Sequence, residues 1–211
     1  MNLTATLDVL VTDPISGLET GLAKTVRRAL KAMEASGIGY CVIGAAALAV
    51  RGLPRMTRDL DLVVLCDDAQ PAIAALQKAR LVAGTPTGDA DAPESMIVFF
   101  DPRTNVDVDL LLAAGNPEAL AIADAPHAML FGASAKVATL EHLLLLYLYS
   151  NQPKHLGDFA AIVQSGRANL AKSEKMLFEM HPEMLPDWRA RVQAVRAPLP
   201  APAKPKHRSN R

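Results

Sequence analysis

Two pairs of aspartates are spaced for chemistry. Asp59-Leu60-Asp61 opens an apolar run that continues through Leu62-Val63-Val64-Leu65, and Asp107-Val108-Asp109 opens a second run, Leu110-Leu111-Leu112. Residues two apart on a β-strand share a face, so each pair sets two carboxylates side by side at the leading end of a buried strand. Carboxylates placed this way repel one another, and burying them unpaired is costly. A hard cation relieves both problems, since Mg²⁺ takes one or two carboxylates together with water and phosphate oxygens. If the two strands are neighbours, Asp107 or Asp109 adds a third carboxylate to Asp59 and Asp61. Three carboxylates can hold two ions about 3.5–4 Å apart, the arrangement that clamps the attacking and leaving oxygens of a phosphoryl transfer. The competing reading makes Asp59 and Asp61 structural acids bonded to Arg55 or Arg58, and Asp107 a solvent-facing or salt-bridged strand acid.

Upstream of the first pair lies a second element of the same chemistry. Gly44-Ala45 follows a short apolar strand and precedes a run of small residues, Ala46 to Val50. A glycine at such a junction lets a phosphate approach the backbone, and a helix start supplies free N–H groups. Arg51, Arg55 and Arg58 lie between this turn and the acid strand. Guanidinium groups there can neutralise phosphate charge, although Arg51 reads better as a solvated helix end. Strand, glycine turn, short helix, arginine-rich loop and acid strand, in that order, describe a pocket for a triphosphate and its metal.

The elements that must position these groups follow from periodicity. Leu18, Leu22, Val26, Leu30 and Met33 mark a helix over 18–35 that ends at Ser36-Gly37. Strands are expected at 39–43 and 59–65, and a helix at 72–83 with Asp67 and Asp68 suited to its N-cap. A Gly-, Pro- and Asp-rich loop spans 85–94. Strands at 95–100 and 105–112, joined by Asp101-Pro102-Arg103-Thr104, predict an antiparallel hairpin. A short helix at 117–124 and weak strand signals at 128–138 follow. The rest is helical, with Thr139 as N-cap of 140–150 and further helices near 156–164, 168–180 and 186–195. The fold class is α/β (α+β): a mixed sheet with flanking helices in 1–135, a helical region in 136–196, and a Pro/Ala-rich basic tail in 197–211 that cannot build a core and is expected to be disordered.

The stretch from Val42 to Val64, with Gly44, Arg55, Thr57-Arg58-Asp59-Leu60-Asp61 in order, resembles the signature of the DNA-polymerase-β-like nucleotidyltransferase superfamily. Within it, the chain is most similar to the AbiEii-like branch, which includes the nucleotidyltransferase toxins of type IV toxin–antitoxin systems. A second stretch, Leu140 to Asp158, resembles the branch's later helix and turn. The resemblance covers about residues 20–165. It implies a nucleotidyltransferase fold in which Gly44 and Ala45 cradle the triphosphate and Asp59 and Asp61 bind Mg²⁺. It also implies that Asp109 is the third acid, helping to deprotonate an acceptor hydroxyl, with Asp107 as runner-up. Arg55, Arg58, Lys154 and Asp158 fall at nucleotide-contacting positions. The chain departs from the pattern at Ala45, where the branch has Gly or Ser, at Tyr147, where it has Lys, and at Gln152, where it has Arg. Two cations expected near the nucleotide are therefore replaced.

Composition bounds the partners. Among 211 residues, 22 basic side chains balance 22 acidic ones, so no global field draws the protein to a polyanion. Cys41 and Cys66 lack metal-ligand or CxxC spacing and read as buried, reduced thiols. No signal peptide and no run of about 20 apolar residues is present in the sequence, which predicts a cytoplasmic protein without a membrane partner. The five histidines show no metal-binding spacing, and Trp188 reads as an anchor for the last helix. The expected activity is transfer of a nucleoside monophosphate from an NTP to a hydroxyl on an RNA end, a protein side chain or a small molecule, with a cognate antitoxin protein as a partner implied by the resemblance. The alternatives are a catalytically weak binding protein of the same fold that acts through a protein partner, and an antibiotic-type nucleotidyltransferase.

Overall fold

The computed structural model describes residues 19–84, 95–113, 115–150 and 152–197. The expected loop at 85–94 and the basic tail beyond 197 lie outside them. Helix α1 (Gly21–Ser36) starts where Thr20 accepts a hydrogen bond from the Ala23 amide and stops at Gly37 in the left-handed conformation. Its stripe of Leu22, Val26, Ala29, Leu30 and Met33 is buried. Strand β1 (Tyr40–Val42), helix α2 (Gly44–Val50) and strand β2 (Asp59–Leu65) follow.

The next helix differs from expectation. Helix α3 spans Ala69–Lys78, entered through a single 3₁₀ turn at Cys66–Asp68. Asp68 precedes it without a side-chain cap. The helix ends early because Arg80 takes a left-handed conformation and its amide, with that of Leu81, closes onto Gln77 and Leu76. This stop carries no glycine, so the sequence pattern does not show it. Val82–Ala83 then become strand β3 instead of a last helical turn. The β4 edge offers them a hydrogen-bond ladder, pairing them with Phe100 and Phe99.

Strands β4 (Ser95–Asp101) and β5 (Val106–Ala113) form the expected antiparallel hairpin. The five strands run in the order β1-β2-β5-β4-β3, with β2 and β5 parallel and the other pairs antiparallel. Helix α4 (Asn116–Asp124) leads to a small hairpin, β6 (His127–Leu130) and β7 (Ala133–Lys136). Helices α5 (Leu140–Leu148), α6 (Pro153–Ser165), α7 (Leu170–Met180) and α8 (Leu185–Arg196) complete the chain. Thr139 caps α5 in a box with His142. Trp188 is buried and meets the Phe159 ring edge-on at 5.7 Å, tying α8 to α6.

Two further expectations are corrected. Arg51 is no solvated helix end: it donates to the carbonyls of Val137 and Ala138, which joins α2 to the chain after β7. Val42 also bridges Val137, so the passage from sheet to helices is bonded to β1. Cys41 is buried, whereas Cys66, just past the last residue of β2, is exposed. Among the described residues, no helix is long and apolar enough to cross a membrane.

The β4–β5 turn is fixed by one buried carboxylate. Asp101 is fully buried and accepts hydrogen bonds from Thr25 Oγ1, Thr104 Oγ1, the Arg103 amide and Arg28. Burial alone would raise its pKa, but these donors outweigh it and hold the carboxyl below the usual range. The turn, and with it the register of β5, is thereby locked to α1. Removing one partner of a buried ion pair costs about 3–5 kcal/mol, so Asp101→Ala is expected to destabilise the protein by that order in denaturant unfolding. Because the folded pKa is depressed, this stabilisation is present above about pH 4 and is lost as pH falls through the folded value. The penalty in the variant should shrink accordingly in acid.

Candidate active site

The parallel pairing of β2 with β5 sets Asp59 opposite Asp107 and Asp61 opposite Asp109. Oxygens of Asp59, Asp61 and Asp109 lie within 4.8 Å of one another. Asp107 is exposed and is not among them. The sheet thus brings together three of the four expected acids and leaves the fourth at the rim. Asp59 also accepts from its near neighbour Thr57.

The cluster is electrostatically tense. The Asp61 carboxyl is pushed up to about 7 by burial, then by the charges of Asp59 and Asp109, with Lys154 and Arg55 offsetting part of the effect. Asp109 is raised by burial and by Asp59 and Asp107. Three hard oxygen donors within reach of a single ion, whose mutual repulsion a cation would relieve, fit Mg²⁺ chemically.

Gly44 sits directly against this cluster. Its φ is +62°, and a Cβ there would lie 2.0 Å from Asp61 Oδ2. Only glycine allows α2 to begin so close to the acid. Ala45 is buried, so only its backbone can face a ligand.

Two openings flank the acids. The larger, a cleft of about 690 Å³, is lined by Gly44, Asp61, Asp109, Tyr147 and Lys154, with Ile43, Met96, Leu111 and Leu146 forming apolar wall. The smaller, about 480 Å³, is lined by Arg55, Thr57, Arg58, Asp59, Asp61 and Lys154. Asp61 and Lys154 border both. Arg58 and Lys154 are exposed cations. Arg55 is engaged elsewhere: its Nε donates to both oxygens of buried Asp158, at 3.0 and 3.1 Å. Asp158 therefore acts as the anchor of Arg55 and lines neither opening.

The cleft also contains residues that sequence reasoning passed over. Glu118 of α4 and Tyr149 line it. His155, read as scattered, stacks on the Tyr147 ring with centroids 4.9 Å apart and planes at 21°. Its Nδ1 lies 2.6 Å from Ser150 Oγ. Burial, then Lys154, holds the His155 pKa below its usual value. The available signal was that Tyr147, Ser150 and His155 straddle one helix junction. The antiparallel approach of α5 and α6 that joins them is a tertiary fact.

No protein-family model matches the chain, and no curated protein matches it. Solved structures do. The solution structure of the antibiotic-resistance factor ANT(2'')-Ia aligns over 82% of this chain and 94% of its own, with a TM-score of 0.51 and 16% identity. The crystal structure of ANT(2'')-Ia in complex with adenylyl-2''-tobramycin aligns over 78% and 99%, with a TM-score of 0.52 and 16% identity. JHP933 from Helicobacter pylori aligns over 82% and 89% at 14% identity, with a TM-score of 0.43. At these identities the likeness is one of fold: this chain has a mixed α/β, nucleotidyltransferase-like fold.

Proposed function

We propose that the protein is a nucleotidyltransferase that moves a nucleoside monophosphate from an NTP to a hydroxyl acceptor. The observation that carries this reading is the convergence of Asp59, Asp61 and Asp109 beside Gly44, at the mouth of an open cleft. In the reaction an acceptor oxygen bonds to the α-phosphorus, the bond from that phosphorus to the bridging oxygen breaks, and pyrophosphate leaves. Asp109 stands where it can take the acceptor's proton. Asp59 and Asp61, with Asp109, would hold Mg²⁺, which supplies charge neutralisation and orientation of the phosphates when bound. Gly44 admits the phosphates to the backbone, and Lys154 is positioned to meet their charge. The catalytic contribution of the chain is positioning and electrostatics.

A binding protein without activity would tolerate a plugged site. Here Arg55, the nearest candidate plug, is held by Asp158, and the acids border two openings. This favours the enzyme. The sequence motifs favour the AbiEii-like branch, and with it the toxin of a toxin–antitoxin pair acting in the cytoplasm. A small-molecule acceptor is the second reading, favoured by the shared fold with a protein solved in complex with an adenylylated aminoglycoside and by a cleft of drug-sized volume.

Calorimetric titration with each of the four NTPs in Mg²⁺ tests the proposal. Wild-type protein is expected to bind at least one NTP only when Mg²⁺ is present, and Asp59→Ala/Asp61→Ala to lose that binding while remaining folded. Failure of folded wild type to bind any NTP at millimolar concentration would sink the reading.

The raised pKa of Asp61, about 7, generates a pH signature. An unfolded aspartate titrates near pH 4, so between about pH 4 and 7 the folded state holds a proton that the unfolded chain releases. The sign is that of an acid raised on folding: without divalent ions, stability falls as pH rises through this window. Asp61→Asn should flatten that slope. Metal binding must displace the proton, so the rise in Tm caused by Mg²⁺ should be larger near pH 8 than near pH 6. Thermal melts with and without MgCl₂ check this, and a pH-independent Mg²⁺ effect would contradict it.

A further inference from the structure

The hydroxyl of Tyr147 is buried and, among the described residues, has no hydrogen-bond partner. The residue is only 4% exposed, yet it lines the larger cleft with Gly44, Asp61 and Lys154. A buried donor left without an acceptor is destabilising, and phenylalanine would fill the same space without that cost. The side chain is nevertheless held firmly. Its ring stacks on His155, which Ser150 fixes through Nδ1. Its own backbone carbonyl accepts from Arg191 Nη1 at 2.9 Å. Groups from α5, α6 and α8 thus hold an orphaned hydroxyl in one place.

Its charge state is also set. Burial, then the neighbouring Asp158 and Asp61, pushes the phenol pKa well above its usual value. At neutral pH the group is a neutral donor in search of an acceptor. Asp158 does not serve, because both its oxygens accept from Arg55, and Asp61 makes no hydrogen bond with it. The missing acceptor must come from a ligand in the cleft. Beside Lys154 and the open backbone at Gly44, an anionic oxygen is the acceptor that the surroundings favour.

We propose that the Tyr147 hydroxyl donates a hydrogen bond to a phosphoryl oxygen of the bound nucleotide, next to Asp61 and Lys154. The assignment rests on the nucleotidyltransferase reading. It makes Tyr147 a binding residue that orients the phosphate chain without adding charge to the site, and it makes the Ser150–His155 pair the support of its ring.

Tyr147→Phe keeps the ring and its stack and removes only the hydroxyl. Affinity for the Mg²⁺–NTP complex is expected to fall about ten-fold, and affinity for Mg²⁺–tripolyphosphate by a similar factor. The Tm of the free protein should stay level or rise. Equal nucleotide affinity in the two proteins overturns the assignment and leaves the hydroxyl a packing defect. A loss seen with NTP but not with tripolyphosphate also overturns it, by moving the contact to base or sugar. Failure of wild type to bind any nucleotide overturns the transferase reading, and this assignment with it. If the variant does not fold, the Cζ resonance of ¹³C-labelled Tyr147 in wild type, assigned with Tyr40→Phe and Tyr149→Phe, reads the same contact. It should move when Mg²⁺–tripolyphosphate is added, and a stationary resonance overturns the proposal.

Discussion

The parallel pairing of β2 with β5 is the constraint on which the site depends. It places Asp61 directly opposite Asp109 at the edge of strands whose other residues are buried. Like charges facing each other across a sheet are destabilising, and burial raises the cost. The apolar residues that follow, Leu62, Val63 and Val64 on β2 and Leu110 on β5, are fully buried and hold the register against that repulsion. A slip of one residue would turn these side chains to the other face, so the core and the acid cluster are fixed by the same pairing. Behind β5, the Asp101 network ties the β4–β5 turn to α1, and the hairpin cannot shift without breaking a buried ion pair.

Much of this was legible in the sequence because it depends on local pattern. The period-two acids, the apolar runs after them, the glycine at a strand–helix junction and the turn between β4 and β5 are all short-range signals. Helix α3 was misjudged at both ends because its stop uses Arg80 in a left-handed conformation, which has no compositional mark. The role of Arg51 was missed because its acceptors, Val137 and Ala138, lie far along the chain. For the same reason the pairing of Arg55 with Asp158 and the stack of Tyr147 on His155 could not be read from spacing. Each joins the helical half to the sheet half.

The choice between Asp107 and Asp109 shows where pattern ends and geometry begins. Both share a face of β5, and both lie opposite an acid of β2. Neighbouring strands twist against each other, which draws one diagonal across the pair together and opens the other. Asp109 reaches Asp59 as well as Asp61, whereas Asp107 stands at the exposed rim. Its charge is still felt at Asp109, whose carboxyl it helps to raise. The fourth acid therefore contributes field without joining the donor set.

The charges around the cluster bear on how a polyanion can enter. Three carboxylates converge, while Arg55 is held by Asp158 and a neutral phenol stands at Tyr147. Lys154 and Arg58 are the exposed cations that border the openings. A nucleotide approaching the acids without a metal would meet repulsion that two solvent-screened cations offset only weakly. A divalent ion reverses the local sign, and the charge that the acids and the phosphates share becomes an attraction to a common centre. In a site of this composition metal and nucleotide affinity are coupled through the same three carboxylates. The replacement of further cations by Tyr147 and Gln152 shifts the task of holding the phosphates from protein charge to the metal and to directed hydrogen bonds.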